Sequence, residues 1–182
     1  YNLVKKYLKK KINVFCEKPL TNSPKKNKEL FFLSKKMKTK LYVSDIENYK
    51  LNKLKILKEN YILRSKFSFN KKNILTRMAY HDFTYIYDKI KNKKLEKIKI
   101  LEKKIGQLSF ILNINNKKFT YKYNLNKKKS EHSFNKKNLK TKKNVLKQML
   151  SDVLLEKVDF KKNIRISTFA SVLISKIKNR LH

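Results

Sequence analysis

An α/β segment followed by an α+β segment is the architecture that this sequence predicts, and three observations carry it. Up to about residue 48, helical spacing alternates with very short apolar strands. Beyond that, several segments alternate with a two-residue period. At the end, two stretches carry apolar residues at helical spacing. The expectation is a remnant of a parallel sheet, followed by an open, mostly antiparallel sheet with helices on one face.

The elements are read in chain order. Leu3, Val4, Tyr7 and Leu8 predict a helix over residues 1–10, so the chain reads as starting inside an element and as a possible fragment. Ile12 to Cys16 reads as a short buried strand. Ser23 and Pro24 then supply an N-cap and a first-turn proline for a helix to about Lys38. Leu41, Tyr42 and Val43 form the next strand. Two strands alone do not make a stable doubly wound sheet.

In the second segment, Leu51, Leu54 and Leu57 mark a helix. Strand 61–69 places Tyr61, Leu63, Ser65, Phe67 and Phe69 on one face. A helix from Ile74 to Lys91 follows. Strands are read at 97–101, 107–114, 118–123 and 130–134, with Asn115 and Asn116 as the turn of a hairpin. Val145, Leu146, Met149, Leu150 and Val153 share one helical face. Ile166, Phe169, Ala170, Leu173 and Ile177 share another. The organisation expected is residues 1–48 as one domain and 49–182 as a second.

The formal charge is +36, from 49 basic and 13 acidic residues. Such a charge raises nucleic acid as a partner. The kind of basic residue argues against it. Only Arg64, Arg77, Arg165 and Arg180 are arginines, whereas nucleic-acid readers favour the planar guanidinium. Lysine, asparagine, isoleucine, phenylalanine and tyrosine are abundant while glycine and proline are scarce, the pattern that adenine- and thymine-rich codons produce. The lysines therefore read as a solvated surface. The single cysteine, Cys16, excludes an internal disulfide and fits a reducing, cytoplasmic compartment as a buried thiol. No apolar run is long enough to span a bilayer. Three scattered histidines and one cysteine do not suggest a metal site.

Two positions could carry chemistry. Lys18 stands at a strand end, the edge where open α/β folds bind ligands, with Pro19 restricting the backbone beyond it. His81 falls on the helix face opposite Phe83, Ile86, Tyr87 and Ile90, near Arg77, Thr84, Tyr85 and Asp88. That leaves a solvent-facing histidine, or one lining a cleft, where an imidazole could exchange an alcohol proton. His132 and His182 have no supporting context.

The run Val14-Phe15-Cys16-Glu17-Lys18-Pro19-Leu20 resembles the strand and Glu-Lys-Pro motif of the Gfo/Idh/MocA oxidoreductases. Ala79-Tyr80-His81-Asp82-Phe83-Thr84-Tyr85-Ile86 is similar to that family's His-Asp helix, and the order of elements matches over essentially the whole chain. The resemblance implies the later part of a Rossmann-type nucleotide-binding domain followed by a substrate and oligomerisation domain. It implies NAD or NADP as cofactor, and hydride transfer to or from a sugar-like or polyol hydroxyl. Lys18 and His81 would be catalytic, and Glu17, Lys18 and Pro19 would touch cofactor. It also implies that the antiparallel sheet could pair subunits. The chain departs from the family at Arg77, where an aspartate is common, and at Glu47-Asn48, where many members carry arginine. An arginine at position 77 would oppose protonation of the histidine.

The single glycine, Gly106, lies outside the nucleotide-binding part, so the glycine-rich dinucleotide fingerprint is absent and is expected upstream of Tyr1. Two alternatives stand beside the oxidoreductase: a lysine-rich, non-enzymatic nucleic-acid-binding protein, and an inactive remnant of the enzyme. The chain by itself is expected to bind NAD(P) poorly. Isothermal titration giving micromolar affinity would contradict that expectation.

Overall fold

The computed structural model describes residues 1–49, 54–91, 93–139 and 144–181. Helix α1 (Asn2–Lys9) leads to strand β1 (Val14–Cys16), helix α2 (Pro24–Lys36) and strand β2 (Leu41–Val43). The two strands pair in parallel, Val14 opposite Leu41 and Cys16 opposite Val43. Ser23 caps α2 by accepting from the Lys26 N–H, as its sequence predicts. β2 is buried throughout, whereas Phe15 in β1 is 36% exposed. The buried strand expected at 12–16 is thus half-covered, because β2 is its only paired neighbour among the described residues. Cys16 is correspondingly only part-buried and free.

A second sheet has the order β4-β5-β6-β3-β7-β8, from β3 (Glu59–Ser65), β4 (Leu95–Lys104), β5 (Gln107–Ile114), β6 (Lys117–Asn124), β7 (Glu131–Phe134) and β8 (Lys137–Asn138). Its pairs are antiparallel except β3 with β6. Asn115 and Asn116 both adopt positive φ, 51° and 57°, giving the tight β5–β6 hairpin that the sequence predicts. Asn135 and Lys136 repeat that turn and create β8, which the sequence reading missed. Gly106 closes the β4–β5 turn at φ 72°, where a Cβ would meet Asn126 Oδ1 at 2.7 Å.

One face of this sheet is the core. Phe110 lies opposite Tyr121 and Leu112 opposite Phe119, and the rings of Phe110 and Tyr121 stack at 5.0 Å. Phe83, from helix α3 (Tyr80–Ile86), sets its edge on Tyr121 at 5.4 Å. The face expected for β3 is corrected. Ile62, not Tyr61 or Leu63, enters the core, and the strand ends at Ser65, leaving Phe67 and Phe69 exposed. A run of alternate apolar residues fits either face until a partner strand sets the register.

The helix expected at 51–57 is also corrected. Residues 54–57 are irregular, and Leu51 lies outside the described residues. The Asn60 amide accepts from the Leu57 N–H and donates to the Leu57 carbonyl, pinning that backbone ahead of β3. The helix expected at 74–91 is split into a π-helical turn (Leu75–Ala79), α3 and a 3₁₀ turn (Tyr87–Lys89).

The chain closes with α4 (Val145–Leu154) and the long α5 (Phe160–Leu181), which packs on α2, β2, α3 and β4. Its apolar positions Ile166, Ala170, Leu173 and Ile177 are buried as the spacing predicts. A second stripe, Asn163, Ser167 and Ser171, is buried as well. Asn163 receives the Val43 N–H at 2.9 Å and donates to the Val43 carbonyl at 2.8 Å. Ser167 receives the Tyr80 hydroxyl, and Ser171 receives the Asn27 amide. This stripe ties β2, α3 and α2 to one helix. Asn163→Ala strands two buried backbone groups and is expected to cost about 2–3 kcal/mol. Urea unfolding would read that loss, with Ser171→Ala costing about 1 kcal/mol as the smaller comparison.

Candidate functional site

Lys18 follows β1 directly, and its bond to Pro19 is cis. Its Nζ donates to the Thr76 carbonyl at 3.0 Å and the Arg77 carbonyl at 3.3 Å. Both carbonyls belong to the π-helical turn. There the Tyr80 N–H reaches back to the Leu75 carbonyl, which relieves the Thr76 carbonyl of the donor an α-helix would give it. The turn thus presents oxygen to a lysine arriving from the other sheet. Burial, then the Arg64 and Lys66 charges, push the Lys18 ammonium down to about 8 against the partial opposition of Glu17 and Glu47. Glu17 is exposed and folds its carboxylate back on the Lys18 N–H, and Pro19 is half-buried.

His81 begins one turn after the carbonyls that hold Lys18. Its side chain is 14% exposed, and Nδ1 lies 3.9 Å from Glu47 Oε1. Thr84 and Tyr85, expected beside it on an outer face, are buried too. His81 is thus not fully solvent-facing. Glu47 comes from a 3₁₀ turn, Ile46–Tyr49, just after β2.

Behind His81 runs a row of buried charges. Arg64 on β3 donates Nη2 to Glu47 Oε1 at 2.9 Å and Nη1 to Asp82 Oδ1 at 3.2 Å. Asp82 Oδ1 lies 2.8 Å from His132 Nε2, and Asp82 Oδ2 accepts the Tyr123 hydroxyl at 3.0 Å. Burial pushes the Asp82 carboxyl up, but Arg64, His132 and Tyr123 together outweigh it and hold it below the usual range. Arg64 in turn is held above its usual value by the two carboxylates despite its burial.

Arg64, Glu47, Asp82, Tyr123 and His132 all escaped the sequence reading as site residues, Asp82 entering only as part of the His-Asp segment. His132, taken as lacking context, belongs to the row. Glu47 entered only as a departure from the family, and Arg64 only as one of four arginines. The available signal was an arginine kept where lysine is otherwise the rule, since a bidentate buried pair needs the guanidinium fork. Arg77 points elsewhere: its Nη1 donates to the Asn70 carbonyl at 2.7 Å. His182 lies outside the described residues. Among the described residues no group of three or more His, Cys, Asp or Glu is arranged to hold a metal ion. Nor is any of their helices long and apolar enough to cross a membrane.

Comparison with known proteins agrees with this architecture. The family model for the Gfo/Idh/MocA oxidoreductases, described as having an NAD-binding Rossmann fold, matches residues 1–45. Its match ends at Asp45, before His81 and the whole of the charge row. UDP-N-acetylglucosamine 3-dehydrogenase GnnA from Acidithiobacillus ferrooxidans superposes with a TM-score of 0.81 at 8% identity, over 96% of this chain and 73% of that one. The WlbA (WbpB) dehydrogenase from Thermus thermophilus, in complex with NAD and UDP-GlcNAcA, gives 0.76 at 10% identity over 96% and 68%. A Gfo/Idh/MocA family oxidoreductase from Vibrio cholerae gives 0.67 at 12% identity over 99% and 75%. At these identities the likeness is one of fold. No curated protein matches the sequence. The resemblance read from the sequence is upheld for the Glu-Lys-Pro segment, which the family model covers, and the shared fold extends over nearly the whole chain.

Because Lys18 titrates at about 8 when folded and at 10.5 ordinarily, the folded chain holds fewer protons than the unfolded chain between those values. Lys18 is therefore expected to make stability rise with pH across that window, and Lys18→Met should reduce the rise, leaving the smaller contributions of Lys66 and Lys89. An NMR titration of reductively ¹³C-methylated lysines would locate the midpoint, and a Lys18 signal titrating with the bulk lysines would contradict it.

Proposed function

We propose that this chain supplies the substrate side of an oxidoreductase that moves hydride between a nicotinamide and a sugar-like or polyol hydroxyl. The observation that carries the proposal is the seating of Lys18 on the Thr76 and Arg77 carbonyls, one turn before His81. Residues 1–48 would present Lys18 toward the cofactor, and residues 49–182 would enclose the substrate with His81.

The fit of a nicotinamide dinucleotide to these residues is partial. The one glycine, Gly106, closes the β4–β5 turn, so no turn at the end of β1 or β2 lets backbone approach a pyrophosphate. Glu17, Lys18 and Pro19 fit the nicotinamide end only. When bound, the nicotinamide would accept or return the hydride. The Lys18 ammonium would donate a hydrogen bond to the reacting hydroxyl oxygen, favouring the alkoxide character that develops there. His81 would take the hydroxyl proton during oxidation and return it during reduction. The names of two structural neighbours, a UDP-N-acetylglucosamine dehydrogenase and a dehydrogenase holding UDP-GlcNAcA, favour a sugar nucleotide as the form of substrate. The face of the mixed sheet turned away from α3, with Tyr61, Thr120 and Ile111 in register, is where two copies would associate.

Absorbance at 340 nm would test the chemistry, with millimolar NAD to offset weak affinity and a panel of polyols and UDP-sugars. The chain alone is expected to be inactive or nearly so; where millimolar NAD supports turnover of a sugar-like substrate, Lys18→Met and His81→Asn should each lower it about 10²–10⁴-fold. Turnover surviving both substitutions would overturn the proposal.

A further inference from the structure

The row of buried groups behind His81 has a regular construction. Glu47 Oε1 accepts from Arg64 Nη2 at 2.9 Å and faces His81 Nδ1 at 3.9 Å, an ion-pair separation longer than a hydrogen bond. Asp82 Oδ1 is shared between Arg64 Nη1, at 3.2 Å, and His132 Nε2, at 2.8 Å. One guanidinium thus separates two carboxylates, and each carboxylate turns one oxygen toward a histidine. Glu47 is 2% exposed and Asp82 3%.

A buried carboxylate left without partners would take up a proton instead of keeping its charge. Arg64, which cannot release its proton, keeps both ionised. Two carboxylates and one guanidinium leave the row one negative charge in excess, and that excess sits where the imidazoles are. An ionised carboxylate beside Nδ1 favours the tautomer with hydrogen on Nδ1, and with it a basic Nε2.

We propose that Glu47 is the positioning residue of His81: it draws the Nδ1 hydrogen toward Oε1 and so makes Nε2 the nitrogen that exchanges the substrate proton. In this chain the supporting carboxylate comes from the turn after β2, while position 77 on the histidine's own segment carries an arginine that faces Asn70. Glu47 does not touch substrate in this scheme; it acts through the imidazole. The charged and titratable groups facing the row are Lys18 and Glu17 after β1, Lys66 after β3, Tyr80 and Tyr85 on α3, and Tyr121 and Tyr123 on β6.

The inference rests on His81 being the proton-exchanging group, but its test reads the imidazole itself and needs neither cofactor nor turnover. In the ¹⁵N-histidine-labelled chain, His81 is expected in the Nδ1–H tautomer when neutral. Glu47→Gln keeps an acceptor but removes the charge, so the midpoint of the His81 titration should fall by about one pH unit. Glu47→Asp should restore most of it. A wild-type His81 carrying its hydrogen on Nε2 would overturn the proposal without any variant. A midpoint unmoved in a folded Glu47→Gln protein would overturn it equally. If the tautomer and the midpoint behave as expected but His81→Asn leaves turnover intact, the functional reading fails and the positioning stands.

Discussion

Arg64 is the interaction on which the rest of this structure turns. Its guanidinium bridges Glu47, which arrives just after the small parallel sheet, and Asp82, which begins the helix over the large one. Through Asp82 it also reaches His132 on β7. Four segments far apart in sequence therefore meet at one side chain. Such a row is not the cheapest way to fill a core, since desolvating three charges offsets much of their attraction. Once built, it tolerates no gap, because any missing partner leaves a buried charge uncompensated. That is a physical reason for one arginine among so many lysines: a lysine offers a single point charge where two carboxylates need a fork.

The π-helical turn at Leu75–Ala79 solves a second problem. A regular helix would consume the Thr76 carbonyl within its own ladder. The wider turn leaves it available, and Lys18 uses it. Burial and the neighbouring Arg64 and Lys66 charges make this lysine titrate lower than a surface lysine, although the carbonyl oxygens themselves favour its ammonium form. The same bond carries the end of β1 to the start of α3. The contact fixes the position of the ammonium, and burial beside Arg64 and Lys66 sets its acidity.

The long closing helix α5 gives both features a fixed frame. Its buried stripe Asn163, Ser167 and Ser171 holds β2, α3 and α2 through side-chain hydrogen bonds. In the sequence those three residues lie between apolar positions and look like a solvated face. Only the packing reveals them as ties, because polarity alone does not say whether water or a neighbouring helix satisfies a group. The β3 face was misjudged for a related reason. Tyr61, Leu63 and Ser65 alternate as well as Asn60, Ile62 and Arg64 do, and pairing with β6 and β7 decided between them.

What the sequence determined by itself is local. The Ser23-Pro24 helix start, the Asn115-Asn116 hairpin, the apolar spacing of α5 and the Glu-Lys-Pro strand end are each set by a few neighbouring residues, through caps, turn preferences and periodicity. Those cues were enough for the fold class, for most of the elements in order, and for Lys18 and His81 as candidates. Tertiary structure alone decided what surrounds the candidates. Glu47, Arg64, Asp82 and His132 are separated by between 17 and 50 residues where they touch, and no short motif encodes such a meeting. Their charges are tolerable only as a set, at one point in space, and a set of that kind exists only once the sheets and α3 have closed around it.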